Sequence, residues 1–413
     1  MGSNLIQCLR QYFRQLINGC QKTSIAWLQL RYQKNQTISG IIGIICITSI
    51  LFLQVGLRNS FLEGVLQIPF NLNADILLVN SVSSSILQPV SFSSRHLYQA
   101  LAADHVAAIM PFYITGTKWK DNRQKLHRIR VNVIGIPTTN LALNLKGIAD
   151  QLNKIEPKES ALFDKISRHE FKPIIEEFMA KNQAAVEIQT ASVKEFERLN
   201  VTGLFELGVN NAYDATFIVN DTTFINLFAR DRDKIDVGLV QLKAGYNSPK
   251  IIEQVVDQLK HYLPQNIRVF SKSDLIQNER IFHESNSPIG FVFNFMMIVT
   301  ILISVFILYQ ILYVKIANNL GNYATLKALG FSHLSLVTIV LQESLILGIA
   351  GYIPGILVSS LAFAYLADAT KLLIQMEPIT AIIIFGLICL ICLLSAVISL
   401  IKLQEADPID IFS

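Results

Sequence analysis

Between Asn322 and Val337 the chain reads NYATLKALGFSHLSLV. Asn322 is a residue type that caps helix N-termini, Tyr323 to Leu329 offer two turns without a breaker, Lys327 suits the negative end of the helix dipole, and Gly330 is placed for a left-handed stop. Two turns of helix do not stand alone in water. The anchors Tyr323, Leu326 and Leu329 therefore need a surface, either lipid headgroups or a groove on another protein. The setting makes this short helix decisive, because a run apolar enough to cross a bilayer lies on each side of it.

Four segments lack Asp, Glu, Lys and Arg over about the 20 residues that a spanning helix needs: 38–57, 288–314, 344–367 and 378–401. They predict an integral membrane protein with four transmembrane helices. They also explain why 16% of the 413 residues are charged, against roughly 25% in soluble domains. No small-x-small cleavage site follows the first run, which reads as a retained anchor. Before it stand Arg10, Arg14, Lys22, Arg31 and Lys34 with no acidic residue up to Ser39, so the positive-inside rule puts the N-terminus in the cytoplasm.

The expected division follows: a cytoplasmic basic arm over 1–37, an extracytoplasmic domain over 58–287, a cytoplasmic loop over 315–343 carrying the short helix 323–330, an external turn over 368–377 and a cytoplasmic tail over 402–413. Both termini are then cytoplasmic. In the arm, Leu5, Leu9, Phe13, Leu16 and Ile17 recur at helical spacing away from Arg10 and Arg14, the pattern of a helix lying on anionic membrane lipids.

The outer segment reads as mixed α and β. Residues 74–80 predict a strand, 94–103 a helix, and 126–136 a half-buried strand with Ile129, Val131 and Val133 on one face and Arg128, Arg130 and Asn132 on the other. Strand 235–242, a helix opened by Ser248 and Pro249, and strand 267–270 make a βαβ unit. Residues 148–181 alternate helical pattern with charge, and 186–207 suit hairpins or loops. Residues 273–285 have helical composition up to the second span, which predicts a continuous rod.

Chemistry is sparse. The formal net charge of +4 is largely the arm's, so no nucleic-acid partner is expected. No phosphate-cradling loop occurs, since Lys22-Thr23-Ser24 lacks the required glycine. The seven histidines have no metal-ligand spacing and no Gly-x-Ser-x-Gly elbow is present. No catalytic residue, metal or cofactor is expected. Cys389 and Cys392 mimic a redox pair but read as small packing residues of the fourth span, and the outer segment has no cysteine. Glu343 reads as a carboxylate favoured by the N-terminus of the third span. Gly351 and Gly355 flank Pro354 and allow close helix packing and a kink.

The stretch YATLKALGFSHLSLVTIVLQESLILGIAGYIPG, Tyr323–Gly355, resembles the signature of MacB/FtsX-like ABC permeases and is particularly similar to the DevC type, permeases of cyanobacterial heterocyst glycolipid exporters. AWLQL at 26–30, LNADILLVN at 72–80, LFELG at 204–208, IDVGLVQLKAG at 235–245, SPIGFVF at 287–293 and ADPIDIF at 406–412 extend the resemblance from about residue 25 onward. The first 22 residues do not align, and Phe331-Ser332-His333 is less positive than many relatives are there.

The resemblance implies a MacB-like (type VII ABC) architecture in the inner membrane. It implies that Tyr323, Ala324, Thr325, Leu326, Lys327, Ala328, Leu329 and Gly330 form a coupling helix on a separate, DevA-like cytoplasmic ATPase. Two permease chains would pair as a homodimer. The outer domain would meet a DevB-like membrane-fusion adaptor and an outer-membrane duct, for export of a lipid or glycolipid type of cargo. An FtsX-like role, signalling to a periplasmic hydrolase without export, shares the same topology.

Overall fold

The computed structural model describes residues 23–120, 128–192, 195–208, 213–319, 321–322, 325, 328–330, 332–370 and 376–405. Their contacts divide into two units, one containing the membrane helices and one centred on Asn59–Phe291.

Helix α1 (Thr23–Tyr32) is followed after Gln33 by α2 (Lys34–Asn71). Together with α8 (Pro288–Asn318), α9 (His333–Thr370) and α10 (Pro378–Glu405), α2 makes four helices long and apolar enough to span a bilayer. At 1.5 Å per residue the 31 residues of α8 reach about 46 Å, beyond a hydrocarbon core of about 30 Å.

Small residues set the packing of the membrane unit. A Cβ on Gly351 of α9 would stand 2.6 Å from Cβ and Cγ2 of Ile44 on α2, and one on Gly355 would stand 2.7 Å from Cβ of Thr48. One turn earlier, a Cβ on Gly348 would lie 3.0 Å from Sγ of Cys392 on α10. Helix α9 therefore shows one glycine face to α2 and a third glycine to α10, the small-residue approach that helices use where lipid offers no hydrophobic drive. Pro354 is accommodated within α9, which continues as one helix through it. Ser395 and Ser399 of α10 donate to the carbonyls of Val305 and Tyr309 on α8 at 3.1 and 3.2 Å. Cys389 and Cys392 are free thiols.

The outer unit contains β1 (Ile76–Asn80), β2 (Phe92–Ser93), α3 (Ser94–Gln99), β3 (Val106–Lys120), β4 (Arg128–Ile136), β5 (Ser160–Asp164), α4 (Lys172–Lys181), β6 (Ala184–Gln189), β7 (Phe196–Phe205), β8 (Ala215–Asn220), α5 (Asp221–Leu227), β9 (Lys234–Ile235), β10 (Val237–Leu242), α6 (Pro249–Tyr262), β11 (Ile267–Ser271) and α7 (Lys272–Ile281). Nine strands run in the order β11-β1-β10-β3-β4-β8-β5-β7-β6. A further β3–β6 pairing, Trp119 with Ile188 and Lys120 with Glu187, closes the last six into a barrel. Strand β3 serves both parts, pairing with β10 up to Phe112 and with β4 from Tyr113.

Two expectations change here. Strands β10 and β11 do not pair with each other; both pair antiparallel with β1, which lies between them and makes the βαβ unit a split one. Strand β4 is buried on both faces from Val131 to Ile136, Asn132 included: α5 covers the face of Val131 and Val133, where a Cβ on Gly135 would stand 2.7 Å from Cβ of Phe224, and the ring of Tyr213 lies on the other face, against Gly116, the cross-strand partner of Asn132. The serine opening the 94–99 helix is Ser93, whose side chain accepts from Arg95 N. The polar stretch 186–207 resolves into the β6–β7 hairpin pairing.

In the core shared by the sheet and its helices, Trp119 and Phe171 ring centroids lie 4.7 Å apart and Phe163 and Phe217 4.9 Å apart. Asp164, at the end of β5, is fully buried and accepts hydrogen bonds from Ile166, Leu207 and Gly208 main-chain N–H groups. Burial pushes its carboxyl up, against the pull of these three donors. The stretch LFELG thus has a structural role, because its last two residues wrap the carboxylate, with Gly208 at a positive φ of 106°.

The continuous rod is not formed. After α7 the chain makes a π-turn over Phe282–Asn286, and Ser287 then takes an extended conformation (φ −84°, ψ 150°). Ser287 Oγ accepts from Gly290 N at 2.9 Å and donates to His283 O at 2.9 Å, so it caps α8, with Pro288 as the first helical residue. Gly290 has no room for a Cβ, which would lie 2.6 Å from Glu284 O.

Candidate functional site

Between α8 and α9, residues 321, 322, 325 and 328 are helical. Thr325 Oγ1 donates to Gly321 O at 2.9 Å, and Leu329 N donates to Thr325 O at 3.0 Å, an α-helical bond. Gly330 follows with φ +92°, the left-handed geometry that ends a helix, and a Cβ there would meet nothing within 4 Å. Leu329 is 72% exposed.

Asn322 does not cap this helix. It is itself helical, as is Gly321 before it, and its Nδ2 donates to Asn319 Oδ1 at 3.0 Å. Tyr323, Ala324, Leu326 and Lys327 lie outside the described residues, as does the arm up to residue 22. Past the glycine, Ser332 caps α9: its Oγ accepts from Ser335 N at 3.3 Å.

The roots of this connection are polar and buried. Lys315 Nζ of α8 stands 3.2 Å from Glu343 Oε2 of α9, and each side chain is 2% exposed. Four residues beyond Lys315, Asn319 exchanges two amide hydrogen bonds with Gln33 at the α1–α2 junction: Gln33 Nε2 donates to Asn319 Oδ1, and Asn319 Nδ2 donates to Gln33 Oε1 at 2.8 Å. Asn319 Nδ2 also reaches Lys315 O at 2.8 Å. Glu343 is therefore no headgroup-level carboxylate at a helix start; it sits ten residues into α9, against a cation of another helix. In the sequence Lys315 is a charge directly after the apolar run 288–314, and nothing local signals that the two residues meet.

Elsewhere, chemistry-bearing groups converge in the outer unit without forming a catalytic relay. Glu279, 1% exposed, accepts from Ser85 Oγ at 2.6 Å and Ile86 N at 2.8 Å. His283 Nε2 lies 3.5 Å from Glu279 Oε2 and 3.4 Å from Ser85 Oγ. A serine hydrolase relay uses both imidazole nitrogens, one toward the serine and one toward the acid. Here both contacts fall on Nε2, so the group fastens the loop after β1 onto α7.

A cavity of about 330 Å³ lies where β3 passes between its two partners, lined by Tyr98, Tyr113, Asp221 and Arg232 among others. The Tyr113 phenol is pushed up to about 12 by burial and by Asp221 and Asp236. Among the described residues, no group of three or more His, Cys, Asp or Glu side chains could hold a metal ion.

Residues 294–408 match the family described as FtsX-like permease C-terminal. No curated protein matches the chain. Among solved structures, the periplasmic region of MacB from Actinobacillus actinomycetemcomitans is 11% identical, with a TM-score of 0.35, covering 52% of this chain and 96% of its own. The extracellular domain of the noncanonic ABC-type transporter YknZ from Gram-positive bacteria is 14% identical, with a TM-score of 0.32, covering 48% of this chain and 99% of its own. A domain of a putative permease protein from Porphyromonas gingivalis is 14% identical, with a TM-score of 0.29, covering 47% and 86%.

Proposed function

We propose, from the match of residues 294–408 to the FtsX-like permease C-terminal family, that this chain is the noncatalytic permease subunit of an ABC exporter of MacB/FtsX-like type. In this reading a separate cytoplasmic ATPase of DevA-like type receives the segment 323–330. A homodimer of the permease passes the ATPase's motion across the inner membrane to a DevB-like periplasmic adaptor and an outer-membrane duct. Both termini and the α8–α9 connection then face the cytoplasm.

The observation that carries the proposal is Leu329. A leucine 72% exposed on a short helical turn, stopped by a left-handed glycine between two spanning helices, is an anchor with no groove among the described residues. Transmission of motion, rather than passage of cargo between the helices, is supported by five serines of α8, α9 and α10. Ser304, Ser359 and Ser360 donate to the carbonyls of Thr300, Gly355 and Leu357 on their own helices, and Ser395 and Ser399 reach α8. These hydroxyls are committed to holding helices. A lipid or glycolipid type of cargo rests on the sequence resemblance alone.

Gentle solubilisation of native membranes containing the tagged full-length chain, with mass spectrometry of the co-purifying proteins, tests this. The wild type is expected to carry an ATPase and a membrane-fusion adaptor, and Leu329→Asp to lose the ATPase while keeping the adaptor. A periplasmic hydrolase or its activator in place of the adaptor would favour FtsX-like signalling. No ATPase with the wild type would overturn the proposal.

A further inference from the structure

We propose that Lys315 and Glu343 form a register lock that makes α8 and α9 move as one body, so that a push on the connection between them reaches both helices together. This deepens the coupling reading and rests on it. The short connection on its own is a poor lever, since force applied at residues 321–330 could be absorbed by sliding α8 past α9. Three features oppose that. The two charges are 3.2 Å apart and 2% exposed, so a slip of one helical turn, about 5.4 Å, would separate them in surroundings that cannot solvate either. Asn319, on the same face one turn along from Lys315, is held through paired amides by Gln33, so the end of α8 is fixed to the α1–α2 junction as well. Ser332 caps the other end of the connection at the start of α9.

The pair is a poor choice for stability alone. Apolar side chains of similar volume often serve as well as or better than a buried ion pair, whose best-attested use is to specify register. Glu343 Oε1 finds no hydrogen-bond partner among the described residues, so the carboxylate is not there as part of a satisfied polar network. Lys315 and Glu343 are positioning residues: they touch neither nucleotide nor cargo.

The test uses the full-length chain expressed with its ATPase, purified together, with ATP hydrolysis compared with that of the ATPase alone. Four forms are compared with wild type: Lys315→Glu, Glu343→Lys, the double exchange Lys315→Glu with Glu343→Lys, and the apolar pair Lys315→Met with Glu343→Leu. Each single exchange buries two like charges and is expected to cut permease-dependent hydrolysis by about tenfold or more. The double exchange should restore it to within a few-fold. The apolar pair should fold and retain the ATPase, yet lose permease-dependent hydrolysis, a result that loss of folding would not give. Wild-type hydrolysis in the apolar pair, or failure of the double exchange to recover what the single exchanges lose, would overturn the lock. If the wild type retains no ATPase, the coupling reading falls, and the lock with it.

Discussion

Gly351→Leu is expected to prevent the membrane unit from packing. A bare Cβ at this position already comes 2.6 Å from two atoms of Ile44 and 3.2 Å from the Ile41 carbonyl. Neither the β-branched side chain nor the backbone oxygen can step aside, so α2 and α9 must separate. Overpacking a core commonly costs ~1–3 kcal/mol. This site belongs at or above the top of that range, because Gly355 over Thr48 one turn away would be prised open as well.

The control is Gly386→Leu on α10, where a Cβ meets nothing within 4 Å. Size-exclusion profile and thermal stability of the detergent-solubilised full chain decide the matter. Gly351→Leu should aggregate or melt well below the wild type, and Gly386→Leu should match it. Equal behaviour of the two variants would mean that the glycine face is not the seam.

The second large effect is expected at Gly330, where the cause is the backbone and not crowding. Its φ of +92° is available to glycine and strained for a β-branched residue, while a Cβ there would meet no neighbour. Gly330→Val therefore carries a strain of ~1–3 kcal/mol, which the chain relieves by abandoning the left-handed stop. Leu329, the preceding residue, would then be redirected. Insertion and thermal stability should stay near wild type, while permease-dependent ATP hydrolysis falls about tenfold, since 1.4 kcal/mol corresponds to a factor of ten. Gly330→Asn should retain most of it, because asparagine tolerates the left-handed region better than other side chains. Unaltered hydrolysis by a normally expressed Gly330→Val would show that the stop does not position the anchor.

What sequence made legible was whatever is encoded locally. The four spans follow from unbroken apolar runs, and the Gly330 stop follows from a glycine after two turns of helix formers. The glycine pair on α9 was visible as a spacing, although its partners on α2 were not. What stayed hidden depends on distant contact. Lys315 and Glu343 look like two unrelated charges at the ends of two spans until the helices are side by side. Barrel closure joins Trp119 to Ile188 across a stretch of chain that no local pattern bridges. Asn132 reads as the polar side of a strand, but that side is buried too, with Tyr213 against its cross-strand partner Gly116. The break at Ser287 had a local signal, a serine cap followed by a first-turn proline; helical composition on both sides masked it.

The central claim is that nucleotide-driven motion on one side of the membrane becomes motion on the other. Hydrogen–deuterium exchange on the co-purified wild-type complex, nucleotide-free and then trapped with ATP and vanadate, measures it most directly. The account predicts changed protection in peptides covering 321–330 and, in the same samples, in peptides of the outer unit, including the loop after β1 that Glu279 fastens to α7. A response confined to the connection between α8 and α9, with the outer unit unchanged in every nucleotide state, would contradict it.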